Sequence, residues 1–327
     1  MATEAIAITG ILVVCSVGIL IGDAAVSGII AVASNITFKK AFTTGLLALF
    51  IPPLVMAYGA WIGRERPQLK EVELRLENLP ESFDGYRLVQ ISDIHARSYA
   101  NRQKSLQRIV GIINNQNPDL IAFTGDIITL DASELGSIKE ILKELKAKDG
   151  IVAVVGNHDY GMYSDPSHKR PSGEILSDVI KEEKTMGWNV LMDENIKISR
   201  NQDSIAVVGV QNTSPSRHFP SKGNLNKASE GTEGVFRILL THDPMHWEVE
   251  ILGKDYPLTL SGHTHAMQFS LLGWCPSRYI FKQYRGLYTE GQQHLYVNIG
   301  LGETILPFRI GTRPEITQIT LRTRSAN

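Results

Sequence analysis

The sequence predicts an α/β protein, a sandwich of two β-sheets flanked by helices, preceded by an N-terminal transmembrane helical region. Three observations predict it. Strand-like and helix-like runs alternate from Leu88 to Val155, as in an open α/β sheet. Five more strand-like runs follow between Ser204 and Arg322, and two sheets fit that count. Residues 1–63 of the 327 hold four charged side chains, Glu4, Asp23, Lys39 and Lys40, whereas the rest is a normally charged globular sequence.

Ala5 to Gly22 is uncharged and mostly apolar, and Phe42 to Ile62 is a second such run. A bilayer crossing takes about 20 apolar residues. The second run ends in Tyr58 and Trp61, the aromatic pair expected at a membrane interface. Its Pro52-Pro53 pair predicts a kink. A pair of buried core helices is the alternative, but it does not explain the loss of charge over whole spans. Residues 1–66 are thus expected to form a membrane anchor of two helices, about 5–22 or longer and 42–62. Residues 67–327 are expected to form the globular domain. Ala24 to Phe38 is apolar but too short to span alone, so either Asp23 sits at an interface or the first helix is long and tilted. A cleaved signal peptide is not expected, because the first nine residues lack Lys and Arg and carry Glu4. Lys39 and Lys40 on one side and Arg64, Arg66 and Lys70 on the other pull the positive-inside rule both ways, so the side that the domain faces stays open. Cys15 and Cys275 lie in different regions, and no disulfide is expected within the globular part.

The globular part opens with an alternating stretch, Val72–Leu76. Leu88–Ser92, Leu120–Thr124 and Ile151–Val155 read as buried strands. Gln103–Asn115 has helical spacing and is ended by Pro118. Ser133–Lys148 reads as an amphipathic helix with Ile138, Ile141, Leu142 and Leu145 on one face. Glu174–Gly187 reads as a helix closed by glycine. Ser204–Val210, Phe236–Thr241, Leu258–Ser261, His294–Asn298 and Glu315–Arg322 read as strands, and Gln211–Gly234 as a long polar loop.

The chemistry sits just after the apolar runs, at Asp93-Ile94-His95, Gly125-Asp126, Gly156-Asn157-His158-Asp159, His242 and Gly262-His263-Thr264-His265. Open α/β sheets place their sites at the carboxyl ends of strands. Five of the nine histidines fall in these segments, which leaves few for other roles. Carboxylate, amide and imidazole donors suit divalent cations. Two cations about 3.5–4 Å apart can share a carboxylate and a hydroxide nucleophile. Asp-x-His and His-x-His each direct two donors to one ion. Asp126, after a glycine that permits close backbone approach, suits a bridge. Asn157 offers a neutral amide oxygen, and His158 is left for proton work.

These segments, in this order, resemble the calcineurin-like metallophosphoesterase superfamily over about Leu88 to Leu321. Within it the chain is similar to the membrane-anchored bacterial phosphodiesterase branch, which includes enzymes that cleave UDP-diacylglucosamine. The resemblance implies the metallophosphoesterase fold and two divalent ions, Mn²⁺, Fe or Zn²⁺. It implies Asp93, His95 and His265 on the first ion, Asn157, His242 and His263 on the second, and Asp126 between them. His158 would be the general acid or transition-state donor, oriented by Asp93 or a nearby carboxylate. The chain departs from the branch at Ala96-Arg97, where Leu-Gly is common, and at Ala266-Met267, where Gly is frequent. Both departures bear on substrate rather than chemistry, and Arg97 is a candidate phosphate contact.

Met267 to Tyr288 interleaves aromatics with Arg278, Lys282 and Arg285 directly after two expected ligands. It is read as a wall for a lipid-linked phosphate or a surface resting on headgroups, with Trp274 and Phe281 as candidate contacts. The alternative is a packing extension of the sheet. Net charge is −1, which makes no electrostatic case for nucleic acid. The expected activity is hydrolysis of a phosphodiester or pyrophosphate bond by a metal-bridged hydroxide, on a phosphorylated small molecule or lipid-linked substrate at a membrane. A phosphomonoesterase or protein phosphatase, or a non-catalytic metal-bound membrane scaffold, are the alternatives. Oligomeric state is not legible.

Overall fold

The computed structural model describes residues 2–164 and 170–324. The N-terminal region consists of two apolar segments. Helix α1 (Ala2–Ala33) runs through Asp23 without a break, so residues 24–33 continue the first helix. Ser27 donates to Asp23 at 3.1 Å, and a Cβ on Gly45 of the second segment would overlap the Asp23 carboxyl. Asp23 therefore faces the second segment. That segment starts at Phe38, not Phe42, and is not one α-helix. It runs as α2 (Phe38–Gly45), a 3₁₀ stretch (Leu46–Phe50) and α3 (Ile51–Trp61). The winding changes just before Pro52-Pro53, which occupy the first turn of α3, where a proline's missing N–H costs nothing. Thr9–Ala33 and Phe38–Glu65 are each long and apolar enough to cross a membrane, and only 6% of each apolar window is buried. Core helices would be mostly buried.

Twelve strands follow among the described residues, in two six-stranded mixed sheets. The first contains β1 (Gln68–Leu76), β2 (Tyr86–Ile91), β3 (Leu120–Phe123), β4 (Ile151–Ala153), β5 (Asn189–Val190) and, last in the chain, β12 (Glu315–Thr323). Its order is β1-β12-β2-β3-β4-β5, with β12 parallel to β1 and antiparallel to β2. The second contains β6 (Glu194–Arg200), β7 (Asp203–Gly209), β8 (Phe236–Leu240), β9 (Leu258–Ser261), β10 (Gly286–Glu290) and β11 (Gln293–Val297), in the order β10-β11-β9-β8-β7-β6. The strands β2 to β5 and β7, β8, β9 and β11 run parallel within their sheets.

The inner faces of the two sheets share one core, in which Leu88, Leu120 and Val152 meet Val207, Ile238 and Leu258. The outer face of the first sheet is covered by α4 (Gln103–Asn115) and α6 (Ser172–Thr185), through Leu106, Ile109, Ile175 and Val179. Trp247 and Ile251 cover the second sheet. The α/β sandwich flanked by helices is the expected fold.

One expected element is not there. Ser133–Lys148 is not a single helix but a 3₁₀ stretch (Ala132–Ser137), a short α5 (Lys139–Leu142) and turns. Its apolar residues are buried as the spacing required. The backbone, however, is claimed elsewhere. Asn114 on α4 bonds the amide of Lys146 and the carbonyl of Glu144, while the Glu134 side chain turns back to the amides of Thr129 and Leu130, just ahead of the segment. Side chains that capture backbone groups compete with the helical ladder.

Candidate metal centre

Every chemistry-bearing segment leaves a strand at its carboxyl end. Asp93 follows β2, Asp126 follows β3, Asn157 and His158 follow β4, His242 follows β8, and His263 follows β9. Three of these strands (β2, β3 and β4) belong to the first sheet and two (β8 and β9) to the second, so the site straddles the seam between the sheets. Gln90 stitches that seam from below, donating to the Ser261 carbonyl at 2.8 Å and to Thr124 at 3.2 Å.

The donors converge in three overlapping groups, each with its ligand atoms within 4.8 Å of one another. They are Asp93, His95 and His265; His95, Asp126 and His158; and Asp126, His242 and His263. His95 Nε2 lies 3.1 Å from His265 Nε2, and His265 Nε2 lies 3.2 Å from Asp93 Oδ1. His263 Nδ1 lies 3.2 Å from His242 Nε2. Asp126 Oδ2 sits between the two sets, 3.8 Å from His95 Nε2 and 3.1 Å from His242 Nε2. Asp93 Oδ1 and Asn157 Oδ1 are buried with no hydrogen-bond partner among the described residues. Buried orphan oxygens and imidazole nitrogens turned toward one another are costly arrangements without a shared cation. The residues present thus fit two divalent ions.

The backbone is bent to make this possible. Asp93, His95, Asp126, His263 and His265 all have positive φ, between 44° and 74°. Side-chain-bearing residues rarely adopt that region, and each such residue costs on the order of 1 kcal/mol or more. Gly125 (φ 94°) carries the close approach that the sequence suggested, since a Cβ there would lie 2.6 Å from Gly156 N and 2.8 Å from His242 Nδ1. The rings are fixed from behind. The Nδ1 atoms of His95, His242 and His158 bond the carbonyls of Ile128, Thr124 and Thr129 at 3.1, 2.7 and 2.7 Å. Such outer contacts set which nitrogen faces a metal. His158 is therefore oriented by a backbone carbonyl, not by Asp93 or another carboxylate. Its own amide donates to Asp126 Oδ1 at 2.8 Å.

Charge follows from burial and proximity. Burial alone would raise the Asp93 carboxyl, but the imidazoles of His265 and His242 outweigh it and hold the group well below the usual range. Asp126 is likewise lowered, against burial, by His242 and His158. Burial, with His158 and His265 alongside, pushes His95 well below its ordinary value. Ionised carboxylates and a neutral imidazole are the forms that ligate a cation. Burial lowers His242, yet the Asp126 carboxylate pushes it up to about 10, so this pair shares a proton that a cation would displace.

A cavity of about 1000 Å³ opens over the donors. It is lined by Asp126, Asn157, His158, His263 and His265, and by Arg97 and Phe281 of the expected substrate contacts. Trp274 is not part of its lining. That ring is half exposed on a neighbouring surface, packed on Phe269 and Tyr279. Three residues with no role in the sequence reading also shape the site. Tyr163 packs on His158 with ring centres 4.3 Å apart, and Phe219 meets His263 edge-on at 4.6 Å. The Asp159 carboxylate accepts the amides of Gly156, Asp126 and Ile127 at 2.8–2.9 Å, stapling two ligand loops together. Burial and the Asp126 charge push Asp159 up to about 7. Its place in Gly-Asn-His-Asp was the available signal for it. Tyr163 and Phe219 lie in loops with no periodic pattern.

Comparison with known proteins agrees with this geometry. The sequence profile of the calcineurin-like phosphoesterase family matches residues 86–267. The chain is 34% identical over 303 residues to a transmembrane protein with metallophosphoesterase domain from Danio rerio, covering 89% of this chain and 65% of that protein. It thus spans just under two thirds of that relative's length. It is 32% identical over 274 residues to the uncharacterized metallophosphoesterase YkuE of Bacillus subtilis, covering 81% of this chain and 89% of that one. It is 26% identical over 314 residues to the UDP-2,3-diacylglucosamine pyrophosphatase LpxG of Chlamydia muridarum, covering 80% of this chain and 91% of that one.

Proposed function

Because the chain belongs to the calcineurin-like phosphoesterase family, we propose that it is a membrane-anchored, two-metal hydrolase of phosphodiester or pyrophosphate bonds, acting on a lipid-linked substrate. The observation that carries the reading is the pair of donor groups meeting at Asp126 on the floor of one open cavity. Asp93, His95 and His265 hold one ion in this reading, and Asn157, His242 and His263 the other, with Asp126 common to both. The ions, when bound, would neutralise charge on the phosphoryl group and make water acidic enough to attack at neutral pH. His158 stands beside Asp126 and His95 at the cavity wall. With Nδ1 committed to the Thr129 carbonyl, its Nε2 is the nitrogen free to donate a proton to the leaving oxygen. Arg97 lines the same cavity and suits a second phosphate group.

Two features support a lipid-linked substrate at a membrane. The cavity wall includes Arg64, just past the second apolar helix, and the exposed Ile305. Beside that exit, Leu271 and Trp274 pair as a small hairpin whose tip, Leu272, is fully exposed. Apolar tips of this kind suit insertion among headgroups. One relative's name, a UDP-2,3-diacylglucosamine pyrophosphatase, fits the same class of substrate.

The test uses the full chain in detergent, stripped of metal and reloaded with Mn²⁺. Bis-p-nitrophenyl phosphate and p-nitrophenyl phosphate are offered in parallel, with Asp126→Asn as control. Metal-dependent cleavage of the diester, lost in the control, is expected. Cleavage of the monoester alone would replace this reading with a phosphatase, and bound metal without turnover of either would replace it with a scaffold.

A further inference from the structure

The second apolar helix does not stop at the domain surface. Gly59 and Gly63, one turn apart at its carboxyl end, are buried against the backbone of Phe308–Ile310. A Cβ on Gly59 would lie 2.8 Å from Ile310 Cγ1, and a Cβ on Gly63 would overlap the Arg309 carbonyl oxygen. The Arg309 amide donates to the Gly59 carbonyl at 3.2 Å. Arg64, the next residue, donates to the Pro307 carbonyl at 3.2 Å and pairs with Glu303 at 3.0 Å. Arg102 closes the cluster on Glu303, Glu65 and the Arg64 carbonyl.

Arg309 is fully buried, and its guanidinium is spent on the loop behind the metal centre. It donates to the carbonyls of Ile299, Gly302 and Thr312, and one Nη lies 3.3 Å from His265 Nδ1. That loop in turn clamps the Asp93–His95 segment. Leu301 N donates to the Ser92 carbonyl at 3.0 Å, and Gly302 N to the Asp93 carbonyl at 2.7 Å. Gly302 lies so close to Ile94 and His95 that a Cβ would collide with them. All three donors of the first group are therefore touched by Arg309 or by the loop it ties. The rings of His242 and His263 are held instead through Thr124 and through Phe219 and Phe281, and a direct tie to the first group is the His263 amide, which donates to Asp93 Oδ2 at 3.0 Å.

We propose that the end of the second apolar helix is a structural part of the first donor group. Gly59 and Gly63 seat the Arg309 backbone, and Arg309 is a positioning residue for Asp93, His95 and His265. The inference rests on the reading of these residues as metal ligands. It makes the helix a determinant of occupancy at one ion, not only a tether.

The test again uses the full chain in detergent. Gly63→Ala is the smallest change that disturbs the seat. Gly18→Val, at a position of the first helix with nothing within 4 Å of a new Cβ, is the control. Mn²⁺ binding is followed by calorimetry, and hydrogen exchange is followed over residues 299–312. Gly63→Ala is expected to weaken one of the two binding steps about 10-fold or more, the usual effect of losing an outer-shell support. The other step is expected to stay within about twofold, with faster exchange over 299–312, and Gly18→Val to match the parent. If Gly63→Ala folds poorly, Arg309→Lys, which keeps the charge but not the fork, reads the same selectivity. Two unchanged steps, or two weakened equally, would overturn the proposal. Should the parent bind no divalent metal, the metal reading fails by itself. The coupling is then judged on exchange alone, where unchanged protection overturns it.

Discussion

His158 is where the residue scale decides between two roles. It belongs to a donor group with His95 and Asp126, so it could ligate, yet its Nδ1 is held by Thr129 and its ring is covered by Tyr163. A proton donor contributes about 10²–10⁴-fold to rate. His158→Ala is therefore expected to lower kcat by about 100-fold or more while metal content, read by elemental analysis, stays at the parental value. Lost metal would make it a ligand, and retained activity would remove it from the mechanism. The residues with donor chemistry were legible because each follows an apolar run, and such runs end where a sheet meets its site. The residues that hold them were not. Asp159 acts by capturing four amides, a role that depends on loop geometry. Phe219 reaches His263 from a polar loop whose composition carries no sign of the contact.

At the scale of elements, α6 carries an unpaired acid. Glu183 is fully buried, and neither carboxylate oxygen has a hydrogen-bond partner among the described residues. Burial first, and the Asp159 charge second, push it well above the ordinary carboxylate range. An unfolded glutamate ionises near its ordinary value of 4.5, whereas the folded one keeps its proton to higher pH. Between those points the folded state binds more protons, so stability falls as pH rises. No penalty exists below the unfolded value, and the full penalty applies above the folded one. Glu183→Gln removes the titration. Its unfolding free energy relative to the parent, read from denaturant titration, is expected to rise from pH 4.5 to pH 8 by an amount on the order of 1–3 kcal/mol. A pH-independent difference would show that Glu183 ionises as freely in the folded chain as in the unfolded one. Period and punctuation found α4 and α6 and nearly all buried strands. They missed β5, β6 and β10, which are short or polar edge strands with little apolar pattern to read. They overstated the helix at Ser133–Lys148, because capture of its later backbone by Asn114 leaves no mark on apolar spacing.

The whole molecule places two aromatics from one segment in different surroundings. Phe281 meets His263 edge-on inside the cavity, whereas Trp274 pairs with Leu271 on the hairpin and packs on Phe269, which bridges to Ile310. Phe281→Ala is therefore expected to slow both a small diester and a vesicle-borne lipid pyrophosphate. Trp274→Ala is expected to slow only the second, by about 10-fold if the indole's burial at the interface is worth 1–2 kcal/mol. Equal losses in Trp274→Ala would place that ring in the chemistry instead. The alternation of strands and helices was legible at this scale, but strand order was not, because it rests on pairings between distant segments. The strongest case is β12, which lies between β1 and β2 and pairs Gln68 with Glu315. During synthesis the apolar helices emerge before β1 and β2. The facing edges of these strands then stay open until Glu315–Thr323 has left the ribosome. Until that moment the nascent chain is a half-built sheet held close to its own leading helices, and an open strand edge is an invitation to mispairing and to proteases. A frameshift or early stop within the last few codons of β12 would thus be expected to cost the cell the entire polypeptide, although every residue of the metal centre had already been made.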